Sequence, residues 1–273
     1  MISIDENFNR LSLIVTEDVK LVVKKIVSIF INWFNKIDKN KEILELGCGN
    51  GTYSRVFAYL GCSVTAVDIH LQSLLKLKDE DKTKSINIIQ ADVSKKIIKN
   101  NKKFDIIICS EVLEHLDDPK KTLSIIKDHL KSNGMAFITI PNGFGPWEIW
   151  NRILKRPWLT TLLYLPFYWP IYLKKLFFRN HKDLKKIDNY NQKSHCTLND
   201  DSGHVQFWTF REFSKLLRKS GFKIIKVRNS SINFQWLPFY YRLKGNLLDQ
   251  IDIKLADYLS HYFVSGWIFL IKK

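Results

Sequence analysis

Short runs of hydrophobic residues alternate with amphipathic stretches between residues 41 and 140. The amphipathic stretches have the period of a helix that buries one face, and the hydrophobic runs have the length of buried strands. This alternation is typical of repeated strand–helix units that form a parallel sheet. The predicted strands are 42–46, 63–68, 86–92, 104–110 and 135–141, and the predicted helices are 52–60, 70–78 and 119–131, the last stopping at Asn133-Gly134.

The pattern continues on both sides of this block. Residues 17–37 predict an amphipathic helix that lies on the sheet. A helix over 209–220 is followed by a sixth strand, 222–227, and a seventh strand, 266–271, closes the chain. The fold class is therefore α/β, with a doubly wound sheet of seven strands.

Two stretches fall outside the alternation, one after the fifth strand and one between the last two strands. Insertions at strand ends usually form a substrate pocket or a lid. We expect one domain over 1–273, made of an N-terminal helical segment (1–40), a core (41–142), an insertion (143–203) and a C-terminal part of the sheet (204–273) with a helical insertion at 231–262.

The first strand runs into E-L-G-C-G-N-G-T, residues 45–52. Glycine allows a sharp turn and a close approach of the backbone to a ligand, and the following helix start offers N–H donors. Such a turn also fits a nicotinamide dinucleotide. Asp68 ends the second strand, where its carboxylate can accept hydrogen bonds from ribose hydroxyls. Asp92 ends the third strand, where its carboxylate can accept from an exocyclic amine. Either residue could instead cap a turn. Together with Glu45, they favour a cationic sulfonium over a pyrophosphate.

In their joint order, the motifs resemble those of class I S-adenosylmethionine-dependent methyltransferases, which have a Rossmann-like fold. The resemblance is to the ubiquinone-biosynthesis O-methyltransferase-like, or methyltransferase type 11, group. The matching segments are E-L-G-C-G-N-G (45–51), V-D (67–68), A-D-V (91–93), S-E-V-L-E-H-L-D-D-P (110–119), L-K-S-N-G-M-A-F-I-T-I-P-N (130–142) and G-H-V-Q-F-W-T-F-R-E-F (203–213).

The resemblance implies an S-adenosyl-L-methionine cofactor and a seventh strand that lies antiparallel between the fifth and the sixth. The implied cofactor contacts are Glu45, Gly47 and Gly49 at the methionine part, Asp68 at the ribose, Asp92 with Val93 at the adenine, and Ser110 with Glu111 beside the sulfonium. Cys48, Gly51 and Ile69 complete the implied cofactor-binding set.

A second acidic group follows the fourth strand. Glu111, Glu114 and His115 have the spacing i, i+3 and i+4, which predicts one shared face of a helical turn. His115 could remove a proton from an acceptor hydroxyl, and Glu111 and His204 are further candidate catalytic residues. Alternatively, Glu111, Glu114, His115 and His204 could ligate a divalent metal that lowers the pKa of the hydroxyl. In a third interpretation Glu114 forms a surface cap or pair and His115 packs against the cofactor.

The E-x-x-E-H pattern resembles both ubiquinone-pathway O-methyltransferases and the methyltransferases that modify the terminal ribose of small RNAs. His204 lies in G-H-V-Q-F-W-T, directly before a helix whose Thr209 and Glu212 form a predicted capping box. The resemblance directs this loop towards the active site.

The net charge of +16 favours anionic partners, although dispersed lysines are also an ordinary solvated surface. Residues 146–178 combine tryptophan and tyrosine with lysine and arginine, a composition that suits a bilayer interface. Their uncharged part, 158–173, contains two prolines and is too short to span a bilayer. A lid over the pocket or a dimer contact are the alternatives.

The cysteines at 48, 62, 109 and 196 have no paired spacing, which favours a reducing compartment and excludes a zinc finger. The sequence therefore predicts a cytoplasmic methyltransferase that acts on oxygen of a small or lipid-linked acceptor such as a quinone precursor or a glycan; peripheral association with the inner face of a membrane is left open. One alternative is an RNA ribose 2′-O-methyltransferase, against which no appended RNA-binding module is found. The other is a non-catalytic cofactor-binding scaffold.

Overall fold

The computed structural model describes residues 21–33, 40–95, 102–146, 148–149, 203–233 and 246–273. The strands in this part of the chain are β1 (Glu42–Leu46), β2 (Ser63–Asp68), β3 (Ile86–Gln90), β4 (Phe104–Ser110), β5 (Leu130–Pro141), β6 (Lys223–Asn229) and β7 (Gly266–Lys272). The helices are α1 (Leu21–Trp33), α2 (Thr52–Tyr59), α3 (Leu71–Glu80), α4 (Pro119–His129), α5 (Phe210–Lys219) and α6 (Asn246–Ala256). Two 3-10 turns cover Leu113–His115 and His261–Phe263.

The seven strands form one sheet in the order β3-β2-β1-β4-β5-β7-β6. Strands β1 to β5 pair in parallel, and β7 runs antiparallel to both β5 and β6. The predicted α/β fold and the position of the seventh strand are therefore confirmed. The strand order reverses between β1 and β4, and ligands of such sheets bind in the crevice outside the carboxyl ends of the strands at this switch point.

Helices cover both faces of the sheet, which explains why its central strands are almost continuously apolar. On one face, Leu44 and Leu46 pack in a core with residues of α4 and α5. On the other, Ile43 packs with Phe30 of α1 and Phe57 of α2, whose ring centroids lie 4.4 Å apart. Successive residues of β1 thus enter opposite cores, as the two-residue period of a strand requires.

The predicted bounds of β1, β2 and β4 agree with the structure, whereas the end of α4 was placed two residues too late. The helix ends at His129 and β5 already begins at Leu130, so the expected helix stop at Asn133-Gly134 is wrong. The pairing of β5 with β4 shifts register after Phe104, which absorbs the extra residues. A Cβ at Gly134 would lie 3.0 Å from the Asp105 carbonyl oxygen, so glycine permits close approach of the two strands.

The amphipathic helix expected over 17–37 appears as α1, and Ile26, Val27 and Phe30 bury its apolar face. Lys25 of α1 is also buried; its Nζ donates to the Ile253 carbonyl of α6 at 2.8 Å and pairs with Asp257. This pair anchors α1 to the C-terminal part of the chain.

Of residues 146–178, only 146, 148 and 149 lie in the described part of the chain. The three interpretations of this segment, as a lid, a dimer contact or a membrane-interface segment, therefore concern residues outside it. They stay predictions. Of the second insertion, 231–262, the described residues include α6. Among all described residues, the helices are too short or too polar for any of them to span a bilayer.

Candidate active site

The glycine loop, residues 47–51, turns away from the carboxyl end of β1. The N–H groups of Gly47 and Cys48 donate to the Val67 carbonyl at 2.8 and 3.0 Å, which fixes the start of the loop against β2. Gly47, Gly49 and Gly51 have φ values of 68°, 49° and 68°, in the left-handed region that favours glycine.

The three glycines of this loop differ in what surrounds them. A Cβ at Gly47 would overlap the Val112 side chain, and one at Gly51 would overlap Leu77, whereas one at Gly49 would meet nothing within 4 Å. Gly47 and Gly51 are therefore required for packing inside the protein. The backbone at Gly49 borders open space and is accessible to a ligand.

Asp68 lies at the end of β2, next to the glycine loop. One of its carboxylate oxygens accepts from the Gly49 N–H at 2.7 Å and the other from the His70 N–H at 2.9 Å. The residue is only 6% exposed. Because each carboxylate oxygen can accept more than one hydrogen bond, both oxygens retain capacity for a ligand hydroxyl.

Glu45 points into the protein from β1. It is buried, and its Oε2 accepts from the Ser54 N–H at 2.8 Å and from the Ser54 hydroxyl. Burial raises the pKa of Glu45 to about 8, although both bonds from Ser54 favour the ionised form. Ser54, in the first turn of α2, is a partner that the sequence analysis missed.

Asp92 follows β3 and is engaged within its own turn. Its Oδ1 accepts from the Ser94 N–H at 2.9 Å and the Ser94 hydroxyl at 2.6 Å, and its Oδ2 lies 3.3 Å from Lys95 Nζ. The bonds from Ser94 lower the pKa of Asp92. Val93 is buried, whereas Ile69 is exposed. The structure thus realises the turn-capping role that the sequence left open for Asp92.

Ser110 and Glu111 follow β4 and are linked through Thr139 of β5. The Thr139 hydroxyl donates to Glu111 Oε1 at 2.7 Å and lies 2.8 Å from the Ser110 hydroxyl. The Ser110 hydroxyl also lies 3.3 Å from the Tyr53 hydroxyl of α2. Thr139 and Tyr53 are further residues at this site that sequence reasoning did not identify, because they come from other elements.

The predicted shared face of Glu111, Glu114 and His115 is wrong. Glu111 has φ 53° and precedes the 3-10 turn, which contains only Leu113–His115. Glu111 is exposed, Glu114 is buried and His115 is half-buried. The helical spacing fails because the left-handed Glu111 interrupts the helical path that the i, i+3, i+4 pattern assumes.

The loop before α5 packs against this 3-10 turn. The N–H groups of Val205 and Gln206 both donate to the Glu114 carbonyl, at 2.9 and 3.0 Å. The capping box between Thr209 and Glu212 is present as predicted and fixes the start of α5. These contacts bring the His204 ring to 5.0 Å from the His115 ring, measured between centroids.

Glu114, His115 and His204 form a carboxylate–imidazole cluster in which one ligand atom of each residue lies within 4.8 Å of the others. Neither carboxylate oxygen of Glu114 accepts a hydrogen bond in the described part of the chain, and Oε1 lies 3.8 Å from His115 Nε2. Burial, and then the charge of Glu111, raise the pKa of Glu114 well above its usual range. The buried Glu114 carboxylate would be stabilised by a cation or by a transferred proton.

Glu148 also joins this site, and no motif indicated it. It is 6% exposed, and its Oε1 lies 2.8 Å from His204 Nδ1. The contact with Glu148 raises the pKa of His204. The one available signal was a single carboxylate within the aromatic run P-W-E-I-W of the insertion.

A family model described as a methyltransferase domain matches residues 21–227, which is more than half of the chain. The chain belongs to the class I S-adenosylmethionine-dependent methyltransferases. Among curated relatives, the ubiquinone biosynthesis O-methyltransferase of Pelagibacter ubique is 30% identical over 158 residues, or 56% of this chain and 66% of that protein. The protein with the same description from Glaesserella parasuis is 34% identical over 108 residues, or 37% and 46%. The chain therefore spans less than two thirds of these relatives' length.

Solved structures agree on the fold of this family member. An S-adenosylmethionine-dependent methyltransferase of Mesorhizobium loti has a TM-score of 0.55 and 13% identity, covering 92% of this chain and all (100%) of that one. One from Clostridium acetobutylicum has a TM-score of 0.53 and 13% identity, covering 93% and 92%. The [4+2]-cyclase SpnF also matches, with a TM-score of 0.51 and 12% identity over 93% of this chain and 79% of that one. At such identities the likeness shows the fold alone.

Proposed function

We propose that this protein transfers the methyl group of S-adenosylmethionine to a hydroxyl oxygen of a small acceptor. Membership of the methyltransferase family and relatives described as O-methyltransferases support this proposal. The fold by itself does not, because the [4+2]-cyclase shares it. The residues at the carboxyl edge of the sheet therefore carry the proposal.

The glycine loop and Asp68 provide the cofactor end of the proposed site. Gly49 borders open space, and Asp68 keeps acceptor capacity beside it, as a ribose with two hydroxyls would require. Glu45 is the buried carboxylate of β1, and a nearby ammonium group would favour its ionised form. Asp92, engaged by Ser94, is proposed to contact the adenine through the residues of its turn, with Val93.

The carboxylate–imidazole cluster is the observation that carries the assignment to oxygen. In methyl transfer the carbon–sulfur bond breaks, its electron pair stays on sulfur as a neutral thioether, and a carbon–oxygen bond forms to the acceptor. The hydroxyl must release its proton, and the imidazoles of His115 and His204, beside the buried Glu114, are groups that can take it near neutral pH.

The same cluster fits a divalent metal. Glu114 has two buried oxygens without a hydrogen bond from any described residue, and a carboxylate with two imidazoles is a common donor set for such ions. Glu114, His115 and His204 would hold the ion, with Glu111 nearby. A bound ion would lower the pKa of an acceptor hydroxyl, while the chain's own residues orient that hydroxyl towards the sulfonium.

For the acceptor we propose a phenol of the quinone-precursor type, free or carried by a lipid. The experiment incubates the purified protein with labelled S-adenosylmethionine and, in separate reactions, with a catechol, the corresponding aniline without hydroxyls, the catechol with both oxygens methylated, and RNA. Mass spectrometry of the products locates the methyl group. We expect labelled product only in the reaction with the catechol.

Three other outcomes would contradict this proposal. Label on the aniline nitrogen would reject an oxygen acceptor. Label in added RNA rather than in the phenol would support the ribose alternative. Cofactor binding without turnover on any acceptor would support the scaffold alternative. Glu42→Gln is the control variant, because Glu42 pairs with Lys102 at the amino end of β1, away from the site.

A further inference from the structure

Glu148 is held in place from two sides. The Asn142 side-chain amide donates to the Val264 carbonyl at 2.8 Å, and its Oδ1 accepts from the Phe144 N–H at 3.1 Å, so the turn after β5 is fixed against the segment before β7. The Ile149 N–H donates to the Gly145 carbonyl at 3.0 Å, which closes a helical turn around Glu148. These bonds fix the backbone that carries Glu148 against the segment before β7.

Glu148 is buried, so its charge must be stabilised by a group of the protein. A buried carboxylate loses the hydration that stabilises its charge and is normally paired. Within the described part of the chain, the ion-pair partner of Glu148 is His204, at 2.8 Å between Oε1 and Nδ1. Two bare acceptor atoms would repel each other at this distance, so the ion pair requires the proton to be on Nδ1, although the N–H is not aligned with Oε1 closely enough to count as a hydrogen bond.

We propose that Glu148 is a positioning residue that holds His204 as the tautomer with its proton on Nδ1, leaving Nε2 bare. The importance of this tautomer for turnover rests on the proposed function. In a neutral histidine, only the ring nitrogen without a proton can accept one or ligate a metal. The partner of the opposite nitrogen determines which nitrogen that is, and the partner is commonly a carboxylate. With Nδ1 occupied by Glu148, Nε2 is the nitrogen left for the acceptor proton or a cation.

The direct test is the tautomer of His204 in solution, which needs neither acceptor nor metal. Nitrogen-15 NMR of the imidazoles at alkaline pH distinguishes a protonated Nδ1 from a protonated Nε2, and His204→Gln identifies the signal among the 7 histidines. We expect Nδ1–H in the natural protein and predominantly Nε2–H in Glu148→Ala. Glu148→Gln has the same shape and can present either oxygen or NH2, so we expect a mixture of the two tautomers.

Turnover then tests the functional part of the proposal. We expect Glu148→Ala to lower kcat by about 10- to 100-fold with little change in cofactor affinity, and Glu148→Gln to recover part of the loss in proportion to its Nδ1–H fraction. Glu42→Ala and Glu42→Gln remove a carboxylate that is also ion-paired, at 2.7 Å from Lys102 Nζ, and we expect neither to change the tautomer or kcat.

The outcomes separate this proposal from the proposed function. An unchanged His204 tautomer in both Glu148 variants, or Nε2–H in the natural protein, would overturn the positioning role even if turnover fell. A changed tautomer with unchanged kcat would overturn its importance for catalysis. If no acceptor is methylated, the proposed function fails, while the NMR result still decides the tautomer. Should Glu148→Ala not fold, Glu148→Gln alone carries the NMR comparison.

Discussion

The carboxylates beside the glycine loop and those beside the 3-10 turn differ in how their oxygens are bonded. Glu45, Asp68 and Asp92 each accept N–H groups from residues close in the chain or from the neighbouring loop. Glu114, in the 3-10 turn, is buried without a hydrogen bond to its carboxylate in the described residues. Each carboxylate of the first group thus accepts hydrogen bonds from the protein's own N–H groups, whereas Glu114 is a buried acid that a cation or a transferred proton would stabilise.

This difference separates binding from chemistry. Hydrogen-bonded carboxylates hold a fixed geometry, which suits recognition of a constant cofactor. An unsatisfied buried carboxylate destabilises the fold and is retained where it has a functional use. We therefore expect substitutions near Glu114 to lower turnover with little change in cofactor affinity. Substitutions near Asp68 should weaken cofactor binding with little change in turnover at saturating cofactor.

The largest effect is expected from Glu114→Gln. Replacing the only carboxylate of the carboxylate–imidazole cluster should lower turnover by at least about 100-fold, because the cluster can then no longer stabilise a bound cation or the proton taken from the acceptor. Cofactor affinity, measured by calorimetry, should stay nearly constant, since the glycine loop is untouched. Equal losses of turnover and cofactor affinity would contradict the separation of the two regions.

Chelation distinguishes the two uses of this cluster. If Glu114, His115 and His204 hold a metal, excess chelator should abolish turnover, and an added divalent ion should restore it without changing cofactor affinity. Full activity in excess chelator would leave His115 or His204 acting as a metal-free base. Initial rates with and without chelator, at saturating cofactor, measure this directly.

The pH dependence of stability should show the cost of burying Glu45. With its pKa raised from 4.5 to about 8, the folded protein keeps a proton that the unfolded chain releases. The unfolded state binds fewer protons between these values, so stability falls as pH rises through the window and levels off above it. Each pKa unit corresponds to about 1.4 kcal/mol, so the total is on the order of a few kcal/mol.

Glu45→Gln removes this titration. Urea unfolding of the cofactor-free variant across this pH window should give a flatter curve than the natural protein, with the two diverging most at the alkaline end. Parallel curves for the two proteins would show that Glu45 is ionised throughout. The comparison is made without cofactor because an ammonium group near Glu45 would shift the same equilibrium.

Asp68→Ala should weaken cofactor binding by about 1.5 to 3 kcal/mol, because charge-assisted contacts to the ribose are lost. Calorimetry with S-adenosylmethionine and with its demethylated product measures the change. Asp92→Ala is the matched control at the next strand end; its carboxylate is engaged by Ser94 and Lys95, so the loss should be smaller. Unchanged affinity in Asp68→Ala would reject the ribose assignment.

The smallest effect on stability is expected within the glycine loop, at Gly49. Gly49→Ala should cost about 1–2 kcal/mol for its left-handed φ and should weaken cofactor binding, because the new methyl group enters open space beside the backbone. Gly47→Ala adds a clash with the buried Val112 and should cost more stability. Thermal unfolding and calorimetry together check the pair. A larger stability loss at Gly49 would contradict the assignment of open space to it.

The sequence by itself determined the sheet and the glycine loop of this protein. The period of hydrophobic residues, the length of a strand and the glycines of a tight turn are local properties of the sequence. Neighbouring residues were therefore enough to predict the bounds of β1, β2 and β4 and the place of Asp68 at the end of β2. The place of β7 between β5 and β6 was implied by the family resemblance, and its antiparallel pairing with both strands confirms it.

Only the tertiary structure decided which polar groups meet. Thr139 reaches Glu111 from an adjacent strand, and Glu148 reaches His204 from the opposite end of the insertion. The 3-10 turn at Leu113–His115 replaced the expected helical face, and β5 began before its predicted start because of its pairing with β4. These contacts depend on packing between segments that are distant in the chain. Such packing produces no periodic pattern in the sequence, so it is known only from the folded structure.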